Sequence, residues 1–379
     1  MLIVKHLQIR RNASEALYET VVVREDGEEL FLTATPLAGE GLGPLMARVG
    51  RRLRQLQWRA VGMTVFTGAA GSERREELLR AAFGAVEWPV TWLQSDDDSC
   101  DGPAGVEVHA VSGPEVRTIR IRTRTVGCAW EDAAARHCEL GDLRDEQTAH
   151  SPPVQTRQVL EDMAAALRQA NMEFRHVYRT WFRNSDILRW YGDFNRVRTE
   201  FFRRTRVFDG LLPASTGIGA ANSSGAALVC GLLAMDPKAP GIEARALASP
   251  LQGSATKYGS SFSRAVEVDL GDHRRLTISG TASIAPAGET LNVGDVAAQV
   301  ELTMRVVRAV LNSRDMDWAH VNRGVAYFRK PTDMGSYLRW CQANNVKNMP
   351  VIVSHHTVCR DNLLYEIEIR VTRARRHGW

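Results

Sequence analysis

Near its end the chain alternates polar and apolar residues through LLYEIEI, 363–369. Read as a strand, Leu364, Glu366 and Glu368 point one way, and Leu363, Tyr365, Ile367 and Ile369 point the other. Two carboxylates on one face of an otherwise apolar strand need a chemical reason. Elsewhere apolar residues recur at helical spacing, in QVLEDMAAALRQANMEFRHV (158–177) and QVELTMRVVRAVLNSRDMDWAHV (299–321). Both segments share Gln-Val, a Met five residues after the Gln, and a closing Met-x-aromatic-x-x-Val. Each therefore predicts an amphipathic helix, a turn and a strand.

The similarity extends outward from these helices. YRTWFRNSD and RGVAYFRKPTD supply the following strands, and ILRWYGDFNRVRTEFFRR and MGSYLRWCQANN the second helices. Upstream, CELGDL (138–143) is set against LNVGDV (291–296). A degenerate third copy precedes them, where LFLTATPL (30–37) resembles LTISGTASI (276–284) and PLMARVGRRLRQLQWRAVGMTVF repeats helix, then strand. Breakers at QSDDDSCDGPAG (94–105) and MDPKAPG (235–241) divide the chain into units 1–95, 96–235 and 236–379. The expectation is an α+β protein of three similar domains, each strand-strand-helix-strand-helix-strand. A ring with pseudo-threefold symmetry follows, because each sheet needs a neighbour to cover it.

Composition narrows the functional classes. With 44% hydrophobic residues in 379, the chain can bury several cores, and no run of about 18 apolar residues predicts a membrane span. The start MLIVKHLQIRR lacks the apolar region and cleavage site of a secretory signal, so a cytoplasmic protein is expected. Six scattered cysteines, without a CxxC, predict free thiols. A net charge of +4, with arginines concentrated in FFRRTRVF and RVTRARRHGW, fits solvated faces and a small anionic substrate better than nucleic acid.

His355, His356 and Cys359 in HHTVC are competent metal ligands, but adjacent histidines on a strand face opposite ways and no second cluster completes a set of four. GIGAANSSG matches neither the P-loop nor the dinucleotide fingerprint, so no nucleotide cofactor is expected.

SFSRA, LTISGTASI, VGDVAAQ and LLYEIEI follow one another in an order that resembles the reactive-intermediate deaminase (Rid/YjgF) superfamily. LPASTGIG (212–219), SPLQGSATKYGSSFSRA (249–265), ISGTASI and VCRDNLLYEIE are similar to the chorismatase family, which cleaves chorismate in secondary metabolism. The resemblance covers roughly 105–371. It implies three Rid/YjgF-like (chorismate-mutase-like) domains in a monomer, one active site between the central and C-terminal domains, chorismate as substrate, pyruvate as a product and no cofactor.

Cleaving an enol ether begins with a proton delivered to its methylene carbon. The donor must remain protonated near neutral pH, which a desolvated carboxyl beside an anionic substrate achieves. The resemblance places that acid at Glu366 and makes Cys359 a mark of the 3-hydroxybenzoate-forming branch. Arginine pairs bidentately with carboxylates, so Arg198 and Arg339 are the expected clamps, with Arg264 next and Arg360 a further candidate. Ser215, Thr216 and Gly217 offer hydroxyl and N–H donors, and Tyr258 a phenol. Departures from the family pattern occur at Thr357, where it has Asp, at Asn292, where it has His, and in the extended C-terminus. Alternatives are the hydrolytic branch giving 3,4-dihydroxycyclohexa-1,5-dienoate, an enzyme acting on an amino analogue of chorismate, and a non-catalytic Rid-like binder of small carboxylates.

Overall fold

A computed structural model describes residues 7–68, 71, 73–95 and 102–375. The first unit contains β1 (Gln8–Ser14), β2 (Leu17–Arg24), β3 (Gly27–Ala34), α1 (Leu42–Leu56), β4 (Arg59–Thr67), α2 (Arg75–Phe83), β5 (Val90–Gln94) and β6 (Gly105–Ser112). The second contains β7 (Val116–Ile121), β8 (Arg124–Glu131), β9 (Ala135–Leu143), α3 (Pro152–Gln169), β10 (Val177–Asn184), α4 (Ile187–Arg204), β11 (Ala214–Gly219) and β12 (Leu228–Pro237). The third contains β13 (Glu243–Leu247), β14 (Ala265–Asp269), β15 (His273–Ala282), α5 (Val296–Asn312), β16 (Val321–Phe328), α6 (Gly335–Ala343), β17 (Val351–His355) and β18 (Tyr365–Ala374).

Each unit forms one six-stranded sheet, and the three sheets share one strand order. It runs β1-β2-β3-β6-β4-β5 in the first, β7-β8-β9-β12-β10-β11 in the second and β13-β14-β15-β18-β16-β17 in the third. Pairing is antiparallel except between the fourth and fifth strands of each unit, which run parallel with a helix between them. The fold is α+β with three repeats, as the helix pattern implied.

Each copy has six strands rather than four. The sequence reading missed the leading strand, because β1 and β13 are mostly exposed and hold few large apolar residues. It also missed the short parallel strand after the second helix. The acidic stretch 94–105, expected to part the first two units, is instead followed by β6 in the interior of the first sheet, so the sheets divide after Ser112. CELGDL lies within β9, whereas LNVGDV leads into the first turn of α5, so that similarity is not structural equivalence.

Helices cover one face of every sheet. In the third, Tyr365, Ile367, Ile369 and Val371 of β18 pack against Val300, Met304 and Val307 of α5, which accounts for one half of the alternation in LLYEIEI. The other face meets the neighbouring sheets and is strongly polar. Arg179 and Arg183 of β10, Glu107 and His109 of β6, Glu139 of β9, and Glu366, Glu368 and Arg370 of β18 are all buried. Arg370, the first residue of the basic tail expected to be solvated, is thus an interior side chain.

Ion pairs stitch the sheets together. Glu107 of the first sheet pairs with Arg323 of the third at 2.5 Å, Glu29 of the first with Arg275 of the third, and Glu368 of the third with Arg179 of the second. His109 sits between Glu29 at 2.7 Å and Glu139 at 2.5 Å, so first and second sheets share a histidine held by two carboxylates. An apolar patch drawn from all three sheets includes Phe66, Ile218, Ala282, Tyr327 and Ile352.

Candidate active site

Where the second and third sheets meet, Ser279 Oγ accepts a hydrogen bond from Ser215 N at 2.9 Å, and Thr216 Oγ1 accepts one from Gly280 N at 3.0 Å. Beside this seam lies a cleft. Tyr191 and Arg198 of α4, Ser215 and Gly217 of β11, Gly280 and Ala282 of β15 and Glu366 of β18 line it. Ser260, Phe262 and Arg264 from the preceding loop, with Ile284, Cys359 and Arg360, complete the wall.

Glu366 is the second residue of β18, flanked by Ala282 on β15 and Tyr327 on β16, and is 4% exposed. Gly280, two residues before Ala282, leaves room for the Glu366 carboxylate, which an added Cβ there would overlap. Burial pushes the Glu366 carboxyl up to about 8; the charge of Glu368 adds to this, against the pull of Arg179, Arg264 and Arg360. Burial acts on Glu368 too, but Arg179, the Thr216 hydroxyl and the Trp181 indole at 2.9 Å outweigh it and hold Glu368 below the usual range. The paired carboxylates of EIE are thus one neutral acid and one anion. Glu368 is an ion-paired support, not solvent-facing.

The register makes Glu366 unique among the repeats. Counted from the bulge that each fourth strand carries, the residue opposite Tyr327 is Glu366, the one opposite Phe66 is Gly105, and the one opposite Arg183 is Val229. A Cβ on Gly105 would press on Ile352. The three junctions share a topology, and only this one holds the acid.

Arg198 is 1% exposed, donates from Nη2 to Asn195 Oδ1 at 2.7 Å and lies over the Phe194 ring at 5.0 Å, while its Nε has no partner among the described residues. Arg264 is fixed by Nε donating to the Gly253 carbonyl at 2.9 Å, and Arg360 by Nη1 donating to the Gly288 carbonyl at 2.7 Å. Burial pushes the Cys359 thiol up to about 12, and nearby Glu366 adds to the rise, so the sulfur is a neutral thiol and not a thiolate.

The cleft therefore gathers Glu366, Cys359, Arg198, Arg264, Arg360, Ser215 and Gly217. Two expected residues lie elsewhere. Arg339 is exposed on α6, where Nη2 donates to Ser336 Oγ at 2.8 Å; α6 covers the helix-bearing face of its sheet, opposite the face that carries Glu366. Thr216 alternates away from its neighbours in β11, and its hydroxyl accepts from Arg179 Nη2 at 2.6 Å behind the cleft. The side chain of Tyr258 lies outside the described residues.

Sequence reasoning missed Tyr191, whose phenol would touch a Cβ on Gly217 at 3.1 Å and which lines the cleft with Cys359. Burial raises its pKa well above the ordinary value. The signal was available, since Tyr191 precedes Arg198 by seven residues, two helical turns on one face. Asn195, between them, ties the two together: it accepts from Arg198 and donates to the Tyr191 carbonyl at 2.9 Å.

The departures from the family pattern have local roles. Asn292 adopts φ +56°, a left-handed conformation in which asparagine is enriched, and its carbonyl accepts from Gln299 Nε2 at 3.2 Å. The Thr357 carbonyl accepts from Gly219 N at 2.7 Å, joining the third sheet to β11. His355 and His356 bond the carbonyls of Arg329 and Gly219, each at 3.0 Å.

No family model matches the chain. It is 30% identical over 208 residues to a chorismatase of Streptomyces rapamycinicus and 29% identical over 201 residues to a chorismatase of Streptomyces hygroscopicus, 49% of this chain in each case. The chain spans just over half the length of these curated relatives, 58% and 56%. A chorismatase crystal structure shares the fold, with a TM-score of 0.63 and 22% identity, covering 83% of this chain and 93% of that one. The resemblance to the chorismatase family thus holds in sequence over 49% of the chain and in fold over 83% of it.

Proposed function

We propose that this chain cleaves the enolpyruvyl ether of chorismate, releasing pyruvate and leaving 3-hydroxybenzoate. The observation that carries the reading is Glu366: a buried carboxyl, raised to about 8, in a cleft lined by Arg198, Arg264 and Arg360. It is protonated at neutral pH and donates to the enol ether methylene carbon, forming an oxocarbenium ion; the ring C–O bond then breaks with its electron pair going to the oxygen, pyruvate leaves, and the ring cation shifts its hydroxyl and returns one proton to the Glu366 carboxylate to give 3-hydroxybenzoate. The arginines receive the two substrate carboxylates. The charges of Arg264 and Arg360 oppose the desolvation of Glu366, and a bound dianion cancels that effect, raising the acid further.

Mass balance distinguishes the products. Pyruvate plus a hydroxybenzoate equals chorismate, whereas pyruvate plus the dihydroxycyclohexadienoate requires one added water. Cys359 and Phe262 line the cleft with apolar surface, and a neutral thiol is a poor water activator, which supports the water-free branch. Chorismate supplied to the purified chain in a lactate dehydrogenase-coupled assay tests the activity. Pyruvate is the expected outcome; its absence overturns the reading in favour of a small-carboxylate binder. Product mass and absorbance then separate the two branches.

A further inference from the structure

Between the sheets, behind the cleft, lies a second and smaller pocket. Arg179 and Trp181 of β10, Thr277 of β15, Arg323 and Gly324 of β16, and Glu368 with Arg370 of β18 line it, leaving space for about one water-sized body. Its polar side chains are deeply buried: Arg179 is 1% exposed, Thr277 3% and Arg370 5%.

The charges there do not balance. Arg323 is answered by Glu107, and Arg179 by Glu368, to which it donates only through Nη2. Arg370 has no ion-pair partner among the described residues, and its guanidinium instead lies over the Phe31 ring at 5.4 Å and the Trp181 ring at 6.0 Å. The adjacent carboxylates Glu29 and Glu139 are engaged by Arg275 and His109. Arg179 Nε and Nη1, Arg370 Nη2 and Thr277 Oγ1 are buried without a hydrogen-bond partner among the described residues.

We propose that this pocket binds a small monovalent anion, chloride or one of its size, held by Arg179, Arg370 and the Thr277 hydroxyl. A water molecule accepts only two of the orphaned donors and leaves the Arg370 charge unanswered; an anion satisfies both. Glu368, two residues before Arg370 on the same face of β18, engages Arg179 through Nη2, which leaves Arg179 Nε and Nη1 for the ion. The inference is independent of the reaction assigned to the cleft.

The test uses the intact wild-type chain dialysed into sodium gluconate, whose anion is too large for the pocket. Replacing gluconate by chloride at constant ionic strength, from about 1 to about 100 mM, should raise the thermal midpoint by roughly 2 °C per tenfold once chloride exceeds its Kd. Crystals grown in sodium bromide should show an anomalous peak within hydrogen-bond distance of Arg179 and Arg370. In Arg370→Met the chloride dependence should vanish; if that variant does not fold, the two wild-type measurements still decide. A midpoint indifferent to chloride overturns the proposal, whether the bromide map is empty or shows an adventitious ion only.

Discussion

Replacing Glu366 by glutamine tests the electrostatics of the cleft and its chemistry together. The folded carboxyl titrates near 8 against an ordinary glutamate value of 4.5, and it is almost fully buried, so solvent screening removes little of the effect. A raised folded pKa means that the native state holds a proton the unfolded chain has released. The resulting stability is fully present below 4.5 and is lost as pH rises through 8. At about 1.4 kcal/mol per unit across that window, the loss is on the order of 4–5 kcal/mol. Glutamine matches the neutral acid in shape and cannot ionise. Urea titrations of both forms should therefore give similar stability near pH 5 and an advantage for Glu366→Gln of several kcal/mol near pH 9 (order of magnitude). The same variant should release no pyruvate from chorismate, while the wild-type rate should fall on the alkaline side as the acid ionises. A stability difference that is flat with pH would refute the raised acid, and turnover by the folded glutamine variant would remove Glu366 from proton donation.

Gly280→Ala should abolish turnover and cost about 1–3 kcal/mol in a urea titration, because its methyl group overlaps the Glu366 carboxylate; unchanged kinetics would show that the carboxylate lies elsewhere. Arg198→Ala should raise KM for chorismate by about 10- to 100-fold, the weight of a charged hydrogen bond, whereas Arg339→Ala should leave steady-state kinetics at wild-type values. Burial works against a charge on His109, but Glu139 and Glu29 on either side outweigh it and raise its pKa above 6.5. Its stabilising contribution is therefore present below 6.5 and lost as pH rises through the higher folded value, so His109→Gln should flatten that part of the stability profile. Cys359→Ala should shift products toward the hydrated diene acid, read by mass; an unchanged ratio would count against its part in branch choice.

Periodicity carried much of the architecture. The helical spacing in α3 and α5 identifies the repeat, and the alternation in β18 separates a helix-facing apolar side from a polar side. Strands without such a pattern escaped, as exposed β1 did. The buried arginines of VYRTWFRN have no local signal of burial, because what makes Arg179 an interior residue is Glu368, 189 positions away. The misassignment of Arg339 has a related cause. Residues of one helix declare a common face, but nothing local says which neighbouring sheet that face meets. Thr216 was misplaced by grouping it with adjacent residues in β11, although a strand sends alternate side chains to opposite sides. Tyr191 was recoverable from its spacing to Arg198, and Gly280 only from the position of Glu366 across the sheet.

Carrying three like sheets on a single polypeptide changes what one substitution can do. In a ring of identical subunits, every replacement appears three times, so a strained or desolvated acid would burden all the junctions at once. Here the position opposite the fourth strand is glutamate in one repeat, glycine in another and valine in the third. The destabilising group is confined to a single seam, and the other two are left to hold the ring closed. Asymmetry of this kind lets a threefold scaffold tolerate a buried acid that it could not afford in triplicate.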